Sequence, residues 1–169
     1  MRHLAAAIVL TLPGAAAPAA SARQATRCDI SAYVTDQDPN GLNVRAGPSG
    51  TARVLKVVTN AASGVARIKG QSGAWFRISG IVDAETDTML FRGDGWVHFS
   101  LLGLDVASGD PRLYAGPGAR SRVLARLEPD GSLVKLIGCS DGWAKVRFGT
   151  RTGWLSPDGQ CSNPLTTCS

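Results

Sequence analysis

Histidine is almost missing from this chain of 169 residues, which contains only His3 and His98. That scarcity excludes most nucleophilic chemistry, because a Ser-His-Asp arrangement needs a histidine base held by a carboxylate. Only His98 lies beyond the first stretch of chain, within Trp96-Val97-His98-Phe99 and with no catalytic motif around it. A surface histidine on a β-strand is the expected role. Metal chemistry is equally short of ligands. No Cys-x-x-Cys pair exists and His98 is far in sequence from every cysteine, so zinc is not expected. Asp36-x-Asp38-x-Asn40-Gly41 copies the start of a calcium loop, but Gly47 stands where the bidentate Glu should be. It is read as an acidic turn. Helical periodicity is missing too, and no apolar run approaches the about 20 residues that a membrane span requires.

The longest apolar run is at the start. Arg2 and His3 precede Leu4 to Leu12, Pro13 and Gly14 break the run, and Ala20-Ser21-Ala22 offers small residues for cleavage. That is the layout of a secretory leader over residues 1–22, removed in the mature protein. Without Arg2 the formal charge falls from +5 to +4, with 17 basic and 13 acidic side chains. This balance favours anionic partners such as wall polymers or lipid headgroups. Yet the Lys and Arg residues alternate along strands and form no block, which also fits solvated outer faces. Nucleic acid is not an expected partner for an exported chain.

What the chain does contain is a repeat. Leu42-Asn43-Val44-Arg45-Ala46-Gly47-Pro48 is answered about 69 residues later by Arg112-Leu113-Tyr114-Ala115-Gly116-Pro117. Arg53-Val54-Leu55 then answers Arg122-Val123-Leu124, Trp75-Phe76-Arg77-Ile78 answers Trp143-Ala144-Lys145-Val146, and Gly95-Trp96-Val97 answers Gly153-Trp154-Leu155. These anchors resemble the bacterial SH3-like (SH3b) family, with its Leu-Asn-Val-Arg-x-Gly-Pro-Ser opening, Gly-Trp hairpin strand and Gly-Trp-Val strand. The resemblance covers roughly Cys28 to Pro157, and the first copy carries the whole opening motif from Leu42 to Ser49. The second copy departs, with Arg112 in place of Asn43 and Tyr114 in place of Arg45, so any ligand it holds should differ. The family specifies a small barrel more firmly than a function. It implies a non-enzymatic binding module, with cell-wall peptide or peptidoglycan as ligand and with the tryptophan at the position of Trp75 lining the groove. An envelope protein held in the same grooves is the alternative partner. A cysteine hydrolase of the kind often fused to such domains would need a further domain, for which little chain remains.

Strand patterning supports the same fold class. Apolar and charged residues alternate in Val134-Lys135-Leu136 and Ala144-Lys145-Val146-Arg147-Phe148, and Gly47-Pro48, Gly116-Pro117, Asp130-Gly131 and Asp141-Gly142 mark turns. The expectation is an all-β chain of two tandem small SH3-like barrels stapled by disulfides, each with about five short strands. The division reads as a leader at 1–22, a first domain at 23–106, a second at 107–157 and a cysteine-containing tail at 158–169. Between Ile78 and Trp96 there are 17 residues, against 7 between Val146 and Trp154, so the first copy has a longer hairpin over 79–93. It is either a bland surface extension or a lip beside the groove.

Parity sorts the side chains. With Val44, Phe76, Ile78 and Val97 inward, Asn43, Arg45, Trp75, Arg77 and Trp96 point outward. In the second copy the same rule places Tyr114, Trp143, Lys145 and Trp154 outward. Asn43, Arg45, Trp75, Arg77, Trp96, Tyr114, Trp143 and Trp154 are therefore the candidate ligand residues, with the first copy expected to carry the main site. Packing of the two barrels against each other is the competing role for the tryptophans. No cofactor is expected.

Cys28, Cys139, Cys161 and Cys168 make an even set in an exported chain and read as two disulfides. Three connectivities are open. The preferred one joins Cys139 to Cys161, which flank the last hairpins, and leaves Cys28 to join Cys168.

Overall fold

A computed structural model describes residues 25–128, 134–166 and 168. The expected leader and the Asp130-Gly131 turn lie outside the described residues. Fourteen strands are described: β1 (Thr26–Val34), β2 (Leu42–Arg45), β3 (Val54–Val58), β4 (Gly64–Ser72), β5 (Trp75–Asp83), β6 (Met89–His98), β7 (Leu102–Gly103), β8 (Asp105–Val106), β9 (Arg112–Tyr114), β10 (Val123–Arg126), β11 (Val134–Ser140), β12 (Trp143–Phe148), β13 (Arg151–Leu155) and β14 (Gln160–Cys161). The only helical pieces among the described residues are 3-10 turns at Phe99–Leu101 and Pro157–Gly159. The chain is all-β, as its alternation and turn spacing require.

The sequence repeat is a repeat of topology. One sheet runs β3-β2-β6-β5-β4-β1-β7 and the other β10-β9-β13-β12-β11, so the first five strands of the larger sheet follow the same order as the smaller one. Register matches as well: Phe76 pairs with Val97 and Ala144 with Leu155. The first unit exceeds the expected five strands because β1 and β7 extend its sheet beyond β4.

Glycine makes the shared register possible. A Cβ on Gly95 would lie 2.3 Å from Val44 Cγ1, and one on Gly153 would lie 2.5 Å from Leu113 Cγ. In both copies the residue before the outward tryptophan must be bare, because the core residue of the opening strand fills that space. The core itself is the inward parity set: Val44, Phe76, Ile78, Val97, Leu113, Ala144, Val146 and Leu155 are all fully buried.

The hairpin over 79–93 is antiparallel strand with register shifts at Ile78/Gly80 and Ile81/Val82, placing Ile81 opposite Phe91 and Val82 opposite Met89. Its turn is held by Asp83, whose Oδ1 accepts from the backbone N–H of Glu85 and of Thr86 at 2.9 and 3.0 Å while Oδ2 accepts from Ser63 at 2.8 Å. The Asp36–Gly41 segment is the acidic turn expected, with Asp36 and Asp38 accepting backbone N–H groups two residues on. At the sheet margins, β3 leaves Val54, Leu55 and Val57 exposed, with Lys56 among them as an edge-guarding charge.

The preferred disulfide pairing is overturned. Cys28 bonds Cys139 and Cys161 bonds Cys168. Topology explains it: β1 runs alongside β11, which brings Cys28 and Cys139 to a Cα separation of 5.5 Å. Cys161 follows the second 3-10 turn and pairs through β14 with β8, on the side of the chain that meets the tail. Backbone pairing reinforces the first link, since Asp141 N–H donates to Arg27 O at 3.1 Å. Gln71 on β4 spans the same seam. Its Nε2 donates to Ile137 O and its Oε1 accepts from the Cys139 N–H, both at 3.2 Å. The Arg27–Asp141 ion pair, 4.0 Å apart with side chains 86% and 73% exposed, adds little.

The two disulfides should differ in weight. Chain-entropy scaling gives about 5 kcal/mol for the link between residues 111 apart and about 2 kcal/mol for the one between residues 7 apart. Replacing Cys28 and Cys139 by Ala is expected to lower Tm clearly more than replacing Cys161 and Cys168. Calorimetry of the two double variants checks this, and equal losses would contradict the assigned roles.

Candidate functional site

Each unit exposes one face on which a tryptophan is flanked across neighbouring strands. In the first, Trp96 on β6 lies opposite Arg77 on β5 and opposite Arg45 on β2. In the second, Trp154 on β13 lies opposite Lys145 on β12 and Tyr114 on β9. The row is the same; only its chemistry changes. Parity holds at every candidate, because Asn43, Arg45, Trp75, Trp96, Tyr114, Trp143 and Trp154 are half-buried and Arg77 is exposed.

The first face is built from fixed parts. Arg45 Nη1 donates to Ala52 O at 2.9 Å, anchoring the guanidinium to the loop before β3. Trp75 meets the His98 ring edge-on at 5.3 Å, and His98 stacks on Phe99 at 4.9 Å. His98 Nδ1 contacts Ser100 Oγ at 2.7 Å and accepts from the Ser100 N–H at 3.4 Å, so this ring caps the 3-10 turn. Asn43 lies two residues from Arg45 on the same side of β2, opposite Val57 and with no pairing to β6. Arg77 leans away from Trp96: its Nε is 3.6 Å from where a Cβ on Gly70 would be. There it lines a cleft of about 310 Å³ with Arg27, Asp29 and Lys69. Lys69 donates to Asp29, and that hydrogen bond holds the carboxyl below its usual range.

On the second face the Tyr114 and Trp143 rings meet edge-on at 5.3 Å, and Lys145 Nζ sits 5.7 Å from the Trp154 ring centroid. Beside Tyr114 opens a cleft of about 270 Å³, whose walls include Asp110, Arg112 and Asp158. Arg112 Nε donates to Asp110 Oδ2 at 2.9 Å, and Arg126 Nη1 donates to Asp110 Oδ1 at 3.0 Å. The aromatic row was legible in the sequence, whereas this acidic hub between two arginines was missed. Its signal was the Asp-x-Arg spacing, which puts Asp110 and Arg112 on one side of an extended chain.

Interdomain packing runs elsewhere. The principal contacts between units join β1, β4, β7 and the first 3-10 turn to β11 and β12, leaving β6 and β13 with their tryptophans on the outer faces. Among the described residues no three potential metal ligands cluster, and all four cysteines are disulfide-bonded.

Small curled β-sheets, each with a half-buried aromatic and cationic face, are the common form of the two units. Residues 109–159 match the family described as bacterial SH3 domain. The match falls on the copy whose opening motif departs further from the family pattern, while the first copy, with its longer hairpin, shares the strand order and register. No curated protein matches the chain.

The Asp110 hub yields a pH test. Its hydrogen bond from Arg112 lowers the Asp110 pKa from 3.8, so the folded state favours the carboxylate. The resulting stabilisation is complete above the unfolded value and is lost as pH falls through the lower folded value. Carboxyl-carbon NMR titration should place the Asp110 midpoint below 3.8, and Arg112→Gln should move it upward. A midpoint at or above the ordinary value would break the assignment.

Proposed function

We propose that this protein is an exported, non-enzymatic binding module that recognises a cell-wall peptide or peptidoglycan through its SH3b faces. The observation that carries this reading is the outward tryptophan set in the same cross-strand row in both copies, flanked by Arg45 and Arg77 in one and by Lys145 and Tyr114 in the other. An indole offers a flat apolar surface at small entropic cost, and a guanidinium can grip a carboxylate through paired N–H donors.

The first face is the main site in this reading. It has Arg45 across from Trp96, the Trp75–His98–Phe99 ring series, and an adjoining cleft lined by Arg27, Lys69 and Arg77. A formal charge of +5 over the whole sequence suits an anionic polymer. The disulfides support an oxidising compartment, and no helix among the described residues is long and apolar enough to cross a membrane. The second reading is an accessory that uses these faces to hold an envelope protein. The exposed apolar edge of β3 favours it.

Sedimentation with purified peptidoglycan tests the first reading. Trp75→Ala and Trp96→Ala should each weaken binding by about 2 kcal/mol with little change in Tm, and Trp143→Ala should matter less. Unchanged binding by both first-face variants would remove the site. No sedimentation of the unaltered protein would turn the reading to the envelope-protein accessory.

A further inference from the structure

Between the two units lies a groove of about 410 Å³ that includes none of the tryptophans and meets the first face at Phe99. One wall is the edge of the larger sheet and the other the edge of the smaller: β7 pairs only with β1 and β11 pairs only with β12. On their outer sides Gly103 and the first half of β11 therefore present main-chain groups without a strand partner. Further along β11 the same edge is already satisfied by the Gln71 side chain, which shows that this backbone accepts a peptide-like amide.

The floor is apolar, with Phe99, Leu102 and Ile137 lining it. The rim is cationic. Lys135 and Arg147 both line the groove and face each other directly across β11 and β12. Like charges in that relation oppose each other, and among the described residues neither enters an ion pair. Two adjacent unneutralised cations above an apolar floor fit one anion joined to an apolar group. Open main-chain edges on both walls favour a ligand that has its own amides.

We propose that this groove binds the free C-terminus of a peptide whose last residue is aliphatic. The side chain occupies the floor, the terminal carboxylate lies between Lys135 and Arg147, and the peptide's amides meet the open edge of β7 or β11. This site contains no tryptophan, and its two walls belong to units joined by the Cys28–Cys139 link.

The test is NMR titration of the intact, disulfide-bonded protein with acetyl-Ala-Ala-Leu bearing a free carboxylate, with its C-terminal amide, and with octanoate. The acid peptide should shift the amides of Gly103, Lys135 and Ile137, and the amide form should bind about tenfold more weakly or less. The K135Q/R147Q double variant should lose a similar factor for the acid peptide, while Trp96→Ala leaves its affinity unchanged. No shifts at those amides with millimolar acid peptide would overturn the site. Equal affinity for acid and amide would overturn the carboxylate assignment, and octanoate binding as tightly as the peptide would overturn the peptide.

Discussion

Everything that depends on the relation between the two units depends on the seam between β1 and β11. Each unit is small enough that its own core is marginal, and the exposed Arg27–Asp141 ion pair cannot hold them. The covalent Cys28–Cys139 link fixes one point of the seam, and the backbone bond from Asp141 to Arg27 holds the next turn. Gln71 completes it by acting as a strand partner for the edge of β11 that no strand covers. A Cβ on Gly138 would lie 2.9 Å from Gln71 Oε1, so the bare glycine beside the bulge is what lets that amide approach.

The division of labour between the sheets follows from this seam. β1 and β7 extend the first sheet toward the second unit, and their position directs the inter-unit contacts away from β6 and β13. Tyr33 on β1 carries the connection onward by donating to Asp105 Oδ1 on β8 at 2.9 Å. Burial first, and that bond second, push the Tyr33 phenol up to about 12. The strand β8 in turn pairs with β14 of the tail. The tail is thus joined by backbone pairing to the segment between the units, and the Cys161–Cys168 bond closes a local loop at its end.

Period-2 alternation made the faces legible, because every inward residue it assigned is buried and every candidate it placed outward is half-buried or exposed. The repeat anchors recur in both copies for a physical reason: Gly95 and Gly153 are tied to Val44 and Leu113 by a contact that tolerates no Cβ. What stayed hidden was anything set by how the units meet. Cys28 and Cys139 are 111 residues apart, and no local pattern reports that β1 lies beside β11. The direction of Arg77 was equally out of reach, since its side chain lies against Gly70 on the neighbouring strand β4.

Duplication without identity gives this architecture its use. A single small face holding one aromatic and one cation binds weakly, since association itself costs several kcal/mol. Two faces held at a fixed separation turn a second contact on the same polymer into an intramolecular event, and affinity rises without new chemistry provided the spacing fits. The faces are not copies: Trp96 has Arg45 and Arg77 at its paired positions, whereas Trp154 has Tyr114 and Lys145, and beside Tyr114 one carboxylate, Asp110, is shared by Arg112 and Arg126. A disulfide, a side-chain amide bridge and a backbone bond hold the seam, and a fixed separation of the faces is the condition that simultaneous engagement of one polymer would need.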